Sequence, residues 1–594
     1  MTAGSQRDPA AAGPAGPAAG PGVSEEKLVA ALTAAEKARL LTGADGWRIP
    51  GCDAIGLRAM VTSDGPAGVR GTTKDERRPS ASLPCPSALG ATWDRELVRE
   101  LAAALGAEAR SKGVDVLLAP TVNLMRTPLG GRGFECFAED PVLTAALAGA
   151  YVRGLQQAGV AAAVKHYVGN DSETGRWSYD ARIAEGVLRE LYLLPFEACV
   201  REAGALLIMA AYNKVNGFPM TENAHLLRDV LKEEWGFAGV VISDWHAARS
   251  TLATALGGLD LSMPGPDGPW GDLLARAVAD GAVAAELLDD KVLRLLRVAR
   301  RVGALDGRPA AADGRRPGAG RPPAPAPAAA PRLVDPALLR RAAAASFVLL
   351  HDRGGVLPLR AGAIRRLAVA GPNAVHPVIM GGGSAGVIAA GISTPAGALR
   401  SALAGRAEVS VAAGCQTWQS VPEPPAGSVR DPVTRQHGVR LEFRDGQDRL
   451  LAAEHRTSTS LTWWDGVPAG VGWGKPGRIV LAASFRAAQP GPHLLSCAGV
   501  GRLRLTADAV TVIDGVTAVP DDPVEAMTRP GELRARLWLE PGTDTELRAE
   551  FWPAAGGAGP LAVRLGVAPA ADDEALLAEA EAEAAAADAA VVVV

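Results

Sequence analysis

Cysteine is scarce and scattered. The six residues, Cys52, Cys85, Cys136, Cys199, Cys415 and Cys497, contain no CxxC pair, which argues against structural zinc and against a disulfide framework. No apolar run approaches the ~18 residues of a membrane span. Neither charge is in excess: 61 Lys and Arg stand against 65 Asp and Glu, a net of −4. That balance gives no reason to expect nucleic acid or an acidic membrane as partner. A nucleophile elbow, a P-loop, HExxH and multi-histidine spacing are all missing, so no metal and no cofactor are expected. Residues 1–23, rich in Ala, Gly and Pro, lack the apolar stretch of a signal peptide. They read as a flexible tail, and a cytoplasmic location is the expectation.

What is present is a large chain that is 48% hydrophobic and 21% charged over 594 residues. That is globular composition and, at this length, several domains. Over residues 24–305, short apolar runs at 59–62, 114–119, 160–164, 206–210, 240–243 and 259–262 alternate with helical patterns such as "DRELVRELAAALGAEARSKG". The simplest architecture is a (β/α) barrel of the TIM type. Residues 306–332, with seven prolines, form a linker. An open α/β sandwich domain begins at 333–419, where "LLRRAAAASFVLLHD" reads as helix then strand, and "RRLAVAGPNA" and "AEVSVAAGC" as strands. Period-two patterning over 420–568 signals an antiparallel β domain. Over 569–594 a helix leading into "VVVV" resumes the α/β pattern, so the β domain reads as an insertion. The α/β domain is expected to be incomplete at Val594.

Polar residues sit at successive barrel strand ends, where a barrel places its function. They are Asp64 and Arg70 in "SDGPAGVRG", Arg132 in "GGRGFECFAEDP", Lys165, His166 and Arg176 in "VKHYVGNDSETGRWS", Tyr212 in "MAAYNKVNG", and Asp244 with Trp245 in "VISDWHA". Each has a bland explanation. Asp64 and Asp244 can cap turns, Arg132 can pair with Glu135, and a lone histidine or tyrosine can be a satisfied core residue. Five polar strand ends on one side of one barrel are not explained that way. Carboxylates to accept hydroxyls, cations to donate and aromatics to stack suit a polyol substrate, and a carboxylate at the floor could attack an anomeric carbon.

These motifs, in order and at plausible spacing, resemble glycoside hydrolase family 3 of the β-glucosidase type. The likeness continues through "VLLHDRGGVLPL" and "GGGSAGV", while "GVRLEFRDG" and "LLSCAGVGRLRLTAD" resemble the PA14 module that some of these enzymes carry. The resemblance implies a retaining exo-β-glycosidase acting on a small-molecule β-glucoside or oligosaccharide. Asp244 matches the nucleophile, Trp245 the aromatic beside the sugar, and Asp64 the carboxylate for distal hydroxyls. Arg70, Arg132, Lys165, His166, Arg176 and Tyr212 match hydroxyl-binding residues. Cations near Asp244 are expected to keep it ionised. "VGNDSETGRWSYD" lacks the histidine of the family's N-acetylglucosaminidase branch, which favours the β-glucosidase/β-xylosidase branch.

The resemblance also implies a general acid/base Glu in the second domain, past a strand like "VVVV", and this sequence ends there. A truncated, turnover-deficient chain is the expectation. Glu135, Glu139 and Glu173 receive structural or binding roles instead. Trp463 and Trp464 of the β domain are read as aglycone-stacking residues or, with slightly more weight, as its own core. A β-xylosidase or α-arabinofuranosidase on the same fold, and a carbohydrate-binding fragment without turnover, are the alternatives. A homo-oligomer is compatible with the sequence.

Overall fold

The computed structural model describes residues 23–305, 333–360, 362–425, 427–463, 471, 477–520, 523–553 and 561–594. The linker expected at 306–332, all of the 1–23 tail except Val23, and Trp464 lie outside them. The described residues fall into two compact units. One comprises residues up to Ser63 with those from Trp93 to Val334, and the other Asp64–Thr92 with those from Asp335 to Val594.

The first unit is built on a six-stranded sheet, β1 (Arg48–Ile49), β2 (Met60–Asp64), β3 (Val116–Leu118), β4 (Ala161–Tyr167), β5 (Leu207–Ala210) and β6 (Val240–Ser243), adjacent in that order. β1 and β2 pair antiparallel, while β3 to β6 are parallel. All residues of β3 to β6 are buried, which is why these strands appear in sequence as continuous Val/Ala/Ile runs and not as alternation. Single bridges continue from Ile242 to Leu261 and from Ser262 to Thr42. The strand expected at 259–262 therefore appears only as two bridged residues. Together this is the sheet of a half-barrel.

Helices fill the crossovers. Asp94 and Asp140 cap Arg95–Ser111 and Pro141–Gln157 by accepting from Leu97 N and Leu143 N at 2.9 and 2.7 Å, each cap worth ~1 kcal/mol. Leu97, Leu101 and Leu105 form the buried stripe of the first helix. The two helices touch at Gly154, where an added Cβ would lie 2.2 Å from Arg99 O. Any larger residue would push them apart.

Behind β6, a charge network centres on Asp260 and Lys291, both fully buried. Asp260 accepts from Val241 N at 2.9 Å and from Lys232 Nζ at 2.6 Å, and lies 3.7 Å from Lys291 Nζ. Lys291 also donates to Leu259 O at 2.5 Å, and burial lowers its ammonium to about 8.

The second unit contains a parallel three-stranded sheet ordered Glu408–Ala412, Arg366–Ala370, Ala589–Val592. Between its first and last strands in sequence run two antiparallel sheets. One is led by Val439–Arg444, Arg478–Arg486 and Asp544–Pro553, and the other by Gly491–Ala498, Glu532–Leu539 and Leu561–Pro569. Their facing side chains, among them Phe443, Leu481, Phe485, Leu495, Leu503, Phe551 and Leu565, make one core. Trp463 packs on Phe443 with centroids 5.5 Å apart, so it serves this core. The helix of "LLRRAAAASFVLLHD" forms at Pro336–Ala345, but the strand does not. Phe347 and Leu350 are 87% and 91% exposed, and among the described residues no strand pairs with theirs.

Segment Asp64–Thr92 joins the second unit through its own contacts. Ser80 exchanges backbone hydrogen bonds with Ile388 and Ala390, Lys74 bridges Thr462, and Glu76 takes both Arg456 Nε and Nη2 at 2.9 and 2.6 Å.

Removing the central carboxylate of the buried network tests its weight. Asp260→Ala is expected to cost about 3–5 kcal/mol, because two ammonium groups are left without their counter-charge. Urea unfolding measures it, and a loss under about 1 kcal/mol, the scale of an exposed pair, would show that the network is solvated.

Candidate active site

Asp244 is the first residue beyond β6 and is 8% exposed. Its amide donates to Ala210 O at 3.0 Å, continuing the β5–β6 ladder one step. The carboxylate is thereby fixed by the sheet and not by a loop. Oδ1 accepts from Trp245 N at 2.8 Å and Oδ2 lies 3.7 Å from His166 Nε2, while burial and the nearby Asp244 charge hold the Tyr212 phenol well above its ordinary value.

Lys165 and His166 reach the site because the β4–β5 ladder is interrupted at them, between Val164↔Ile208 and Tyr167↔Ala210. Such an irregularity re-aims side chains. His166 is locked by Asn123: its backbone N–H donates to Asn123 Oδ1 at 2.8 Å, and Asn123 Nδ2 donates to His166 O at 2.9 Å. Burial first, then Arg132, Lys165 and Arg176, hold the imidazole well below its usual value. It is neutral, with Nδ1–H donating to Asn123 Oδ1 at 3.2 Å and Nε2 accepting from Arg132 Nη1 at 3.3 Å.

Arg132 joins most of these groups. Nη2 and Nε donate to Glu135 at 2.8 and 3.3 Å, and Nη1 lies 3.6 Å from Glu173. Thr121 Oγ1 donates to the same Glu135. Glu173 in turn accepts from Arg176 Nη1 at 2.8 Å. Burial opposes the charge on Arg132, yet Glu135, Glu173 and Asp244 hold its guanidinium well above the ordinary value. The bland pairing with Glu135 is thus real, and it aims the other edge of the guanidinium at His166.

Aromatic rings bound the site. Trp245 donates its indole N–H to Gly46 O at 2.7 Å and lies 5.1 Å from Trp47 at 31°. Trp177 lies 4.1 Å from Tyr212, and Arg176 sits over the Tyr212 ring at 5.2 Å.

Seven of the nine expected residues therefore lie in one unit: Arg132, Lys165, His166, Arg176, Tyr212, Asp244 and Trp245. Asp64 and Arg70 belong to the other, where Arg70 Nη1 lies 3.8 Å from Asp64 Oδ2 and donates to Ser384 O at 3.0 Å. The expected cations surround Asp244, and burial works against them. Burial raises Asp244 above the ordinary aspartate value, and Arg132, the Trp245 amide, Lys165 and Arg176 only partly offset it. Cations narrow the cost of ionising a buried carboxylate without erasing it.

Asn123, Trp47, Trp177 and Glu173 also shape the site. Asn123 and the two tryptophans were not singled out from sequence, although Trp177 sits next to Arg176 and Asn123 follows β3 closely. Among the described residues, no group of three or more His, Cys, Asp or Glu could hold a metal ion, and no helix is long and apolar enough to cross a membrane.

Residues 51–298 match the glycosyl hydrolase family 3 N terminal domain, and residues 347–594 match the family's C-terminal domain. A β-glucosidase of Rhizobium radiobacter is 39% identical over 486 residues, 82% of this chain and 56% of that protein. β-Glucosidase B of Emericella nidulans is 37% identical over 502 residues, 84% and 57% of the two chains. The crystal structure of a β-glucosidase from Kluyveromyces marxianus in complex with glucose aligns with a TM-score of 0.86 at 29% identity, covering 96% of this chain and 68% of that one. The chain spans about half the length of the curated relatives it matches. With both family domains recognised along most of its length, the chain belongs to glycosyl hydrolase family 3.

Proposed function

We propose that this protein is a retaining, exo-acting β-glycosidase of the β-glucosidase type, working through a covalent glycosyl–Asp244 intermediate. The observation that carries the reading is a sheet-anchored, buried carboxylate beside a neutral histidine, a tyrosine hydroxyl and an aromatic wall. The β-glucosidase relatives support it. In the finer reading the first unit closes into a (β/α) barrel, the β segment is a PA14-like insertion, and Asp64 and Arg70 add hydroxyl contacts to the sugar.

The chemistry follows from the groups present. Asp244 attacks the anomeric carbon as the bond to the aglycone oxygen breaks, and a water later replaces Asp244 with retention. Neutral His166 and the Lys165, Arg132 and Arg176 cations hold sugar hydroxyls and stabilise the charge on Asp244 before attack. Trp245 and Trp47 offer an apolar face to the ring. Glu135 and Glu173 are each held by arginine, so neither is assigned to protonate the leaving group. As the resemblance implies, that role falls to a carboxyl of the family's C-terminal domain.

Two aryl β-glucosides, one with a dinitrophenolate leaving group and one with a poor one, test the reading. Asp244→Asn should lower turnover of the activated substrate by roughly three orders of magnitude or more, the scale of losing a covalent nucleophile. Near-wild-type turnover in that variant would refute Asp244 as nucleophile. The ratio of the two substrates reports the acid: a wild-type preference of about 10²–10⁴ for the activated one means that acid help is missing.

The pH profile gives a second test. Asp244 must be ionised to attack and its acidity is weakened in the folded state, so kcat/KM should fall, as pH drops, at a value above the ordinary aspartate range. Arg132→Met removes the largest charge favouring the ionised form and should move this limb up by about one pH unit. An unmoved limb would assign the titration to another group.

A further inference from the structure

The second unit gathers, beside Arg70, two cations that the proposed reaction does not use, Lys74 and Arg564. Lys74 lies on the segment after Arg70, and its backbone bridges Thr462, adding to the edge of the sheet formed by Ser460–Trp463 and Leu561–Pro569. Arg564 stands opposite Ser460 in that sheet and donates to its hydroxyl at 3.3 Å. Arg70 donates to Ser384 O in the glycine-rich loop, and a Cβ on Gly386 of the same loop would lie 3.6 Å from Lys74 Nζ. Arg70 and Lys74 thus converge on one loop whose glycine leaves room for the ammonium.

Among the described residues the charges here are not balanced. Among the described residues the nearby carboxylates are Asp64, already beside Arg70, and Glu423. Glu423 Oε2 is consumed by Ser458 Oγ, Thr459 N and Ser460 N at 2.8, 2.6 and 3.1 Å. Among the described residues the Lys74 ammonium has no hydrogen-bond or ion-pair partner. Burial pushes its ammonium below the ordinary lysine value, Arg70 and Arg564 push it further, and Glu423 opposes them. A cation held among cations is costly unless something negative joins it.

We infer that Lys74, with Arg564 and Arg70 beside it, forms an anion subsite that takes a carboxylate, sulfate or phosphate carried by the glycoside. The inference rests on the glycosidase reading, because Arg70 and Asp64 are the residues that reading assigns to sugar hydroxyls. It deepens that reading by naming an acidic substituent as a feature of the preferred substrate. Arg564 approaches from the β segment, so this segment contributes to specificity through charge and not through Trp463, which its own core consumes.

Calorimetric titration tests this without turnover. The probes are two β-thioglucosides of matched shape, with 4-carboxyphenyl and 4-carbamoylphenyl aglycones, plus 4-hydroxybenzoate and inorganic phosphate. Wild type should bind the carboxylate about tenfold more tightly than the carboxamide, the scale of one charge-assisted contact. Lys74→Gln and Arg564→Gln should each shrink that ratio, and circular dichroism should show both variants folded. Equal binding of the pair by wild type, or an unchanged ratio in both variants, would overturn the subsite. Phosphate binding as tightly as the carboxylated thioglucoside would overturn its assignment to a glycoside. Lys74-dependent binding of 4-hydroxybenzoate without binding of either thioglucoside would uphold the anion site and overturn the glycosidase reading. No binding of any probe would overturn both.

Discussion

The candidate site depends on one guanidinium. Arg132 is largely but not fully shielded from water, and Glu135, Glu173 and Asp244 around it keep it charged. Its fork on Glu135 fixes the plane of the group, and the remaining nitrogen is delivered to His166 Nε2. A lysine could supply the charge but not this geometry, since only the planar fork holds two partners at set angles. From Arg132 the order passes to His166, which must be neutral to accept, and through His166 to Asn123, which fixes the tautomer. From Glu173 it passes to Arg176, whose guanidinium covers the Tyr212 ring. The arrangement is a connected set, so loss of one member leaves buried polar groups on the others unsatisfied.

Two opposing effects meet at Asp244. Water exclusion makes its negative charge expensive, while three cations and a backbone amide favour it. Burial wins on balance, and that outcome suits the nucleophile role proposed for Asp244. A fully solvated aspartate would be more stable as an anion and less reactive. The sheet sets the position: the Asp244 amide bonds to Ala210 on the neighbouring strand, so the carboxylate inherits the rigidity of parallel β structure.

Much of this was legible in the sequence, for identifiable reasons. Val240–Ser243 was found at its observed limits because a doubly buried parallel strand must be apolar throughout, and a polar residue immediately after such a run stands at its carboxyl end. Seven of the nine chosen side chains meet in one unit for that reason. Other features depend on distant packing. Asn123 looks like a loop residue until β4 is laid beside it. Trp47 precedes the strand runs and meets Trp245 across about 200 positions of sequence. The direction of the Asp244 shift could not be read from neighbouring charges, because burial is a property of the fold. Phe347–Leu350 has the composition of a strand, yet a strand needs a neighbour to hydrogen-bond. The attachment of Asp64–Thr92 to the second unit was hidden as well, since it rests on pairings such as Glu76 with Arg456, 380 positions apart.

The central claim is that Asp244 forms a bond to sugar, and trapping that bond tests it most directly. A 2-deoxy-2-fluoro-β-glucoside with a dinitrophenolate leaving group needs no acid assistance and slows release of the intermediate. Intact-mass and peptide-level mass spectrometry after incubation should show one added fluoroglucosyl group, located on Asp244 and absent in Asp244→Asn. Labelling of another carboxylate, or dinitrophenolate release by wild type without any adduct, would contradict the account.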